Sequence, residues 1–238
     1  MRMSGRVGSI TTGIISDGLV FNTDPANRAS YSQTGTIATD TVGNLTGSLT
    51  NGVSFSNTNE GIFVLDGSDD YIDYGDVLDF DRLDAFSIGC WFKRERSGVS
   101  EFLVAKQESG GDYRGYTFIL PADDDYLTIV FRNTLTTNRL IVDGTTAITD
   151  TNWHYGVVTH DGSSATSGIK IYLDGSDDTG VVNGTLSGTT VNSIPLQIGA
   201  RNNGFCFDGN IASTHIYNRA LSANEVLHNY NALKNRFV

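Results

Sequence analysis

From Gly61 onward, apolar side chains recur at every second position in short runs, the period of a half-buried β-strand rather than of a helix. Phe86, Ile88, Cys90 and Phe92 hold one side of the longest run, residues 84–94. Tyr116, Phe118 and Leu120 share a face in 115–120, and Leu127, Ile129 and Phe131 do so in 126–132. Ile169, Ile171 and Leu173 mark another strand, and more are expected near 101–106, 138–142, 153–160, 180–186, 194–199 and 210–217. Ile62-Phe63-Val64-Leu65 and Tyr71-Ile72-Asp73-Tyr74 flank Asp66-Gly67 and read as a hairpin. Asn-Gly and Asp-Gly pairs at Asn51, Asp66, Asp143, Asp161, Asp174, Asn183, Asn203 and Asp208 fall beside most of these runs. Asn and Asp tolerate positive φ and Gly adopts it freely, so the pairs favour tight turns between antiparallel strands. The pattern predicts an all-β fold of two stacked antiparallel sheets.

Upstream the signal thins. Leu19-Val20-Phe21 opens the first strand, and the polar stretch 23–60, with only short apolar patches such as Val53 and Phe55, reads as long loops with one or two short strands. Residues 1–16 lack periodicity and are expected to form an N-terminal arm for attachment or for packing against another subunit, with 17–238 as one domain. One short C-terminal helix closes the chain. Ser222-Ala223-Asn224-Glu225 is a capping box, followed by an apolar stripe of Val226, Leu227, Tyr230 and Leu233 that should cover a sheet edge or bottom.

Composition narrows the partners. The net charge of −11 argues against nucleic acid, which needs clustered Lys and Arg. The basic run Lys93-Arg94-Glu95-Arg96 reads as a solvated loop. Asp outnumbers Glu 22 to five, as turns rather than helices require. No apolar run is long enough to span a bilayer, and no apolar signal core follows Met1, so membrane insertion and secretion are not expected. Cys90 and Cys206 both sit in apolar settings and are expected as buried, reduced thiols.

Several segments resemble, in order, the laminin-G-like, concanavalin A-like sandwich family. They are Val64-Leu65-Asp66-Gly67-Ser68-Asp69-Asp70-Tyr71-Ile72, Phe86-Ser87-Ile88-Gly89-Cys90-Trp91-Phe92-Lys93, Trp153-His154-Tyr155 with Tyr172-Leu173-Asp174-Gly175, Pro195-Leu196-Gln197-Ile198-Gly199, and Phe207-Asp208-Gly209-Asn210-Ile211. The resemblance implies an antiparallel two-sheet jelly-roll sandwich. Leu19-Val20-Phe21, Ser30-Tyr31 and Gly47-Ser48-Leu49-Thr50-Asn51-Gly52, with Tyr217-Asn218-Arg219-Ala220-Leu221-Ser222 near the end, resemble the form found in tailed-phage virion proteins. That narrower resemblance implies a virion surface or structural protein, a capsid decoration or a head, tail or tail-fibre appendage, made in the host cytoplasm. Its implied partners are other virion proteins, further copies of the chain, and host surface glycans reached by adhesion. The alternatives are a free-standing carbohydrate-binding lectin and, behind it, an atypical glycan hydrolase.

The family's glycan hydrolases carry Glu-x-Asp-x-x-Glu on one strand, placing paired carboxylates in a cleft. With Glu only at 60, 95, 101, 108 and 225 that motif is absent, and Asp79-Phe80-Asp81 is the nearest alternation. No enzyme activity and no catalytic residue are therefore expected. His154, His160, His215 and His228 lack metal-ligand spacing. Asp66-Gly67-Ser68-Asp69-Asp70, Asp123-Asp124-Asp125 and Asp174-Gly175-Ser176-Asp177-Asp178 could each offer oxygens to calcium, but turns need Asp and Gly anyway. The resemblance would place a structural calcium on an acidic residue where this chain has Ala212, expected to face the core, so no cofactor or metal is expected. Sugar binding asks for aromatic faces and planar polar groups. The loop candidates are Tyr113, Arg114 and Tyr116 in one segment and Arg201, Asn202 and Asn203 in another, while Trp91 and Trp153 are expected to pack in strands.

Overall fold

Phe86, Ile88, Cys90 and Phe92 do point into one core, packed between two antiparallel sheets in the computed structural model, which describes residues 13–238. The first sheet has eight strands, in the order Ser176–Asp177, Ile169–Leu173, His154–His160, Phe86–Arg94, Asp208–Tyr217, Ile62–Asp66 and Ser54–Ser56, with Leu19–Thr23 also paired to Asp208–Tyr217. The second has nine, in the order Thr179–Thr185, Arg139–Gly144, Thr128–Arg132, Gly115–Leu120, Glu101–Gln107, Gln197–Ile198, Tyr71–Asp73, Thr46–Thr50 and Ile37–Thr39. All pairings are antiparallel, and the architecture is a jelly-roll sandwich closed by the helix Ala223–Leu233.

Three expectations change. Ile62–Asp66 and Tyr71–Asp73 are not a hairpin: the first pairs within one sheet and the second within the other, so the Asp66-Gly67 turn carries the chain across the sandwich. The stretch 23–60 holds three strands, Ile37–Thr39, Thr46–Thr50 and Ser54–Ser56, because backbone pairing at sheet edges organises segments too polar to show a period. In the last strand Ile211 pairs with Phe92 but Thr214 pairs with Cys90, which leaves one extra residue on that strand. This bulge turns Ala212 away from the space between the sheets and puts it under the helix, beside Trp91 and Tyr217.

The helix starts where the capping box predicts. Ser222 Oγ accepts from Glu225 N (3.4 Å) and Glu225 accepts from Ser222 N (2.8 Å). Hydrogen bonds from the Arg219 guanidinium (2.7 and 3.0 Å) push the Glu225 carboxyl down to about 2. Val226 is buried against the first sheet, whereas Leu227 is exposed and the polar Asn229 is buried instead. Asn229 is held because its Oδ1 accepts from Ile15 N (2.8 Å) and its Nδ2 donates to Tyr217 Oη (3.0 Å). Of the arm expected at 1–16, residues 1–12 lie outside the described residues, and Gly13 and Ile15 make backbone hydrogen bonds to the helix side chains.

Beneath the helix, Tyr155 Oη lies 2.5 Å from His215 Nε2 in a fully buried contact. Gly89 makes room for it, since a Cβ there would fall 2.5 Å from His215 Nε2 and 2.8 Å from Tyr155 Oη. Burial pushes the His215 imidazole down from 6.5 to about 3, so it folds neutral. Below pH 6.5 the unfolded chain takes up this proton and the folded chain does not, so stability falls as pH drops from about 6.5 toward 3. The slope from this one group approaches about 1.4 kcal/mol per pH unit. Urea midpoints measured from pH 7 to pH 4 should fall more steeply for the native chain than for His215→Gln. Parallel curves would refute the assignment.

Candidate functional site

The helix covers the outer side of the first sheet and leaves the outer side of the second for other contacts. Alternation decides which side chains lie there. In Thr128–Arg132, Ile129 and Phe131 point into the core, so Thr128, Val130 and Arg132 point outward. Pairing then lines up two rows across the strands. One runs Thr185, Arg139, Arg132, Gly115, Gln107. The next runs Asn183, Ile141, Val130, Thr117, Ala105, Gln197, Asp73, Ser48.

A loop from Ala200 to Cys206 folds over this face. Arg201 and Gly204 exchange backbone hydrogen bonds (2.9 and 3.0 Å). Gln197 Nε2 donates to Asn203 Oδ1 (2.7 Å) while Asn203 N donates to Gln197 Oε1 (3.1 Å), so two amides clamp the loop to the sheet. Asn202 Nδ2 donates to Ser109 Oγ (2.6 Å), tying it to the 108–114 loop that carries Tyr113. Asn202, Asn203, Phe205 and Tyr113 all have φ between 45° and 63°. Asn tolerates that region, but Phe and Tyr are held there against steric preference, as residues at binding sites often are.

The Arg201 guanidinium sits 4.7 Å from the Phe205 ring centre, 4.8 Å from that of Phe102 and 5.4 Å from that of Tyr113. Its Nη1 reaches Gln107 Oε1 at 3.4 Å. Burial, then the like charges of Arg139 and Arg201, push Arg132 down to about 10, which still leaves it protonated at neutral pH. Among the described residues no carboxylate lies within 4 Å of Arg132, Arg139 or Arg201. Arg132 Nε, Arg201 Nε and Gln107 Nε2 are buried donors without an acceptor.

The structure brings Tyr113, Arg201, Asn202 and Asn203 onto this one face. Tyr116 is a correction: it is buried in the core against Phe80, Phe86 and Phe131, and its Oη donates to Leu78 O (3.0 Å), so it offers nothing to a ligand. Arg114 lies beside Asn192, whose amide donates to the Arg114 carbonyl (2.9 Å), and is not among the charges acting on Arg132. Sequence reasoning missed Arg132, Arg139, Gln107, Phe102 and Phe205. The alternation that turned Ile129 and Phe131 inward already turned Arg132 outward, but its neighbours follow only from the strand order.

Other clusters are used up by the fold. A cleft of about 600 Å³ contains Lys93, Trp153, His154, Asp174 and Phe237. Burial would lower the His154 imidazole, yet hydrogen bonds to Asp174 (2.9 Å) and Asp150 (3.1 Å) outweigh it and hold the group above its ordinary value. Here His154 pairs with Asp174 and Lys93 with Glu95, unlike the unpaired donors on the second sheet. Asp178 accepts from Thr145 and Thr146, and Asp125 pairs with Arg94, so one carboxylate of each of these two acidic segments already has protein partners. The carboxylates of Asp66, Asp69 and Asp70 do converge, with oxygens within 4.8 Å of one another. Asp66 Oδ1 accepts from Ser68 N and Asp70 Oδ2 from Asp66 N, both bonds of an ordinary turn.

A family model described as the concanavalin A-like lectin/glucanases superfamily matches residues 66–227. That is more than half of the chain, and the chain belongs to this superfamily. No curated protein matches the sequence. Among solved structures the chain is similar to the binding domain of Paraclostridial mosquitocidal protein 1, at 17% identity and TM-score 0.68, over 91% of this chain and 52% of that one. It therefore spans about half the length of that toxin domain. It is also similar to domain 4 of AbnA, a GH43 extracellular arabinanase from Geobacillus stearothermophilus, in complex with arabinotriose (15% identity, TM-score 0.57, 90% of this chain and 98% of that one). A third is Trypanosoma rangeli sialidase in complex with sialic acid (16% identity, TM-score 0.64, 94% of this chain and 34% of that one). These likenesses show the fold, and they include both binding domains and glycosidases.

Proposed function

We propose that the chain is a non-enzymatic, lectin-like module that binds carbohydrate on the outer face of its second sheet. One observation carries the reading: aromatic rings, planar amides and guanidinium groups converge there with donors left unpaired. The arabinanase domain supports it, because the likeness spans 98% of a chain whose structure holds arabinotriose. For the sialidase the likeness covers 34% of the chain, so what that enzyme acts on carries less weight.

Against hydrolysis, the carboxylates facing outward from this sheet are Asp73 and Asp143, among the described residues of the two rows and the row beside them. Their strands are five positions apart in the sheet, roughly 24 Å at a strand spacing of about 4.8 Å. A hydrolytic pair needs a separation of about 5–10 Å. The carrier we favour is a phage virion, where such a face would serve adhesion to host glycans. That placement rests on the resemblance of the opening and closing segments alone.

A glycan array tests the reading. The chain should bind at least one glycan, and Tyr113→Ala combined with Phe205→Ala should weaken that binding about five- to tenfold through lost ring contact. Absence of binding to every glycan would refute it, and release of reducing ends from a bound glycan would replace it with hydrolysis.

A further inference from the structure

We infer that the ligand of this face is an acidic saccharide, whose carboxylate is held between Arg132 and Arg201. The inference rests on the carbohydrate-binding reading above and narrows it. Arg139 and Arg132 are directly opposed on neighbouring strands, and Gly115 separates Arg132 from Gln107 on the strand beyond, with Asn192 Nδ2 close to where a Cβ on Gly115 would lie (2.6 Å). Arg132 and Gln107 are therefore about 10 Å apart at the backbone, within reach of one small anion between their side chains. Like charges directly opposed across a sheet destabilise it, and a cluster of three with no counterion calls for one from outside.

The chain has 27 acidic residues, and among the described residues none forms an ion pair with Arg132, Arg139 or Arg201. The donors also have the right form. A guanidinium presents parallel N–H groups that match a carboxylate, and here the Nε of both Arg132 and Arg201 lacks an acceptor. Gln107 is 2% exposed, its Oε1 takes Arg201 Nη1, and its Nε2 is the third unpaired donor. Three rings fix the Arg201 guanidinium in place, so little order has to be imposed when the anion arrives. Phe205, 58% exposed, supplies the apolar surface a sugar ring needs beside its charge. A long polyanion such as nucleic acid would extend past this cluster over a chain of net charge −11, whereas a short acidic saccharide need not.

The experiment is an array in which each uronic or sialic acid saccharide is paired with its neutral counterpart, such as trigalacturonate with its methyl ester and sialyllactose with lactose. The native chain should prefer an acidic member by about ten- to a hundredfold, and added salt should reduce that preference. Arg132→Gln should abolish the preference and keep the weaker neutral binding, with Arg132→Lys intermediate because it restores charge without the fork. Its melting temperature should hold or rise, since one repelling charge is gone. Equal binding of acidic and neutral members would overturn the inference and leave carbohydrate binding standing, whereas no binding at all would remove both. A lowered melting temperature in Arg132→Gln would also overturn it by making Arg132 structural. So would stabilisation of the native chain by acetate equal to that by the acidic saccharide.

Discussion

Glu101→Ala should lower stability by about 3–5 kcal/mol, or roughly 6–20 °C in melting temperature for a chain of this size. Glu101 is fully buried and, among the described residues, is the only carboxylate paired with two arginines at once. Its Oε2 accepts from Arg94 Nε (3.1 Å) and lies 3.0 Å from Arg94 Nη2, the latter without hydrogen-bond alignment. Its Oε1 accepts from Arg96 Nε (3.1 Å) and Asp208 N (2.9 Å). Arg94 is itself 1% exposed and keeps Asp125 and Ile148 O as its remaining partners. Removing the carboxylate therefore leaves the buried Arg94 Nε and the Asp208 N–H without acceptors and Arg94 with Asp125 as its one remaining carboxylate, which costs more than the pair contributes as a unit.

The damage should extend to the proposed binding face. Arg96 also donates to Gly67 O (3.1 Å) and Cys206 O (3.0 Å), so this network anchors both the crossing between sheets and the base of the loop that carries Arg201. Glu95→Ala, which breaks only the half-exposed pair with Lys93, is the control and should change stability by no more than about 0.5 kcal/mol. Urea titration of both variants decides the matter. A loss below about 1 kcal/mol for Glu101→Ala would show that the network relaxes around the gap.

What could be read from the chain was local. Phe86 to Phe92 announced their strand because a two-residue period needs no knowledge of neighbours, and Ser222 with Glu225 announced the helix because a capping box is complete within four residues. The Asp66-Gly67 turn misled for the same reason: a turn signal says that the chain reverses, not which sheet receives it. The bulge near Ala212 arises from pairing with Phe86–Arg94 and leaves no mark on its own strand. Tyr116 was misplaced although its alternation with Phe118 and Leu120 had already assigned it to the core. The binding face was half legible. Arg132 could be turned outward by counting, but Gln107, Arg139 and Arg201 join it only through strand order and a loop that returns some 70 residues later.

Trp91→Ala should cost about 3–5 kcal/mol as well, and by a different route. Trp91 is outward-facing on the first sheet yet fully buried, because the helix and the residues after it lie across it. Its ring stacks on Phe237 (4.4 Å between centres), Tyr155 (5.2 Å) and Tyr230 (5.6 Å), so one side chain joins the sheet to the helix and to the C-terminal tail. Truncation opens a cavity at that joint, where the helix Ala223–Leu233 docks on the first sheet. Limited proteolysis should then cut first within residues 223–238, before the sandwich itself unfolds. Trp91→Phe keeps a ring between Tyr155 and Phe237 and should cost less than half as much. The helix side lies across the core from Arg132 and Arg201, so well below its melting temperature Trp91→Ala should keep native glycan affinity within about twofold. Loss of stability with affinity retained would separate the sheet that the helix seals from the sheet that meets the ligand. Equal loss of both would mean that the two faces communicate through the core.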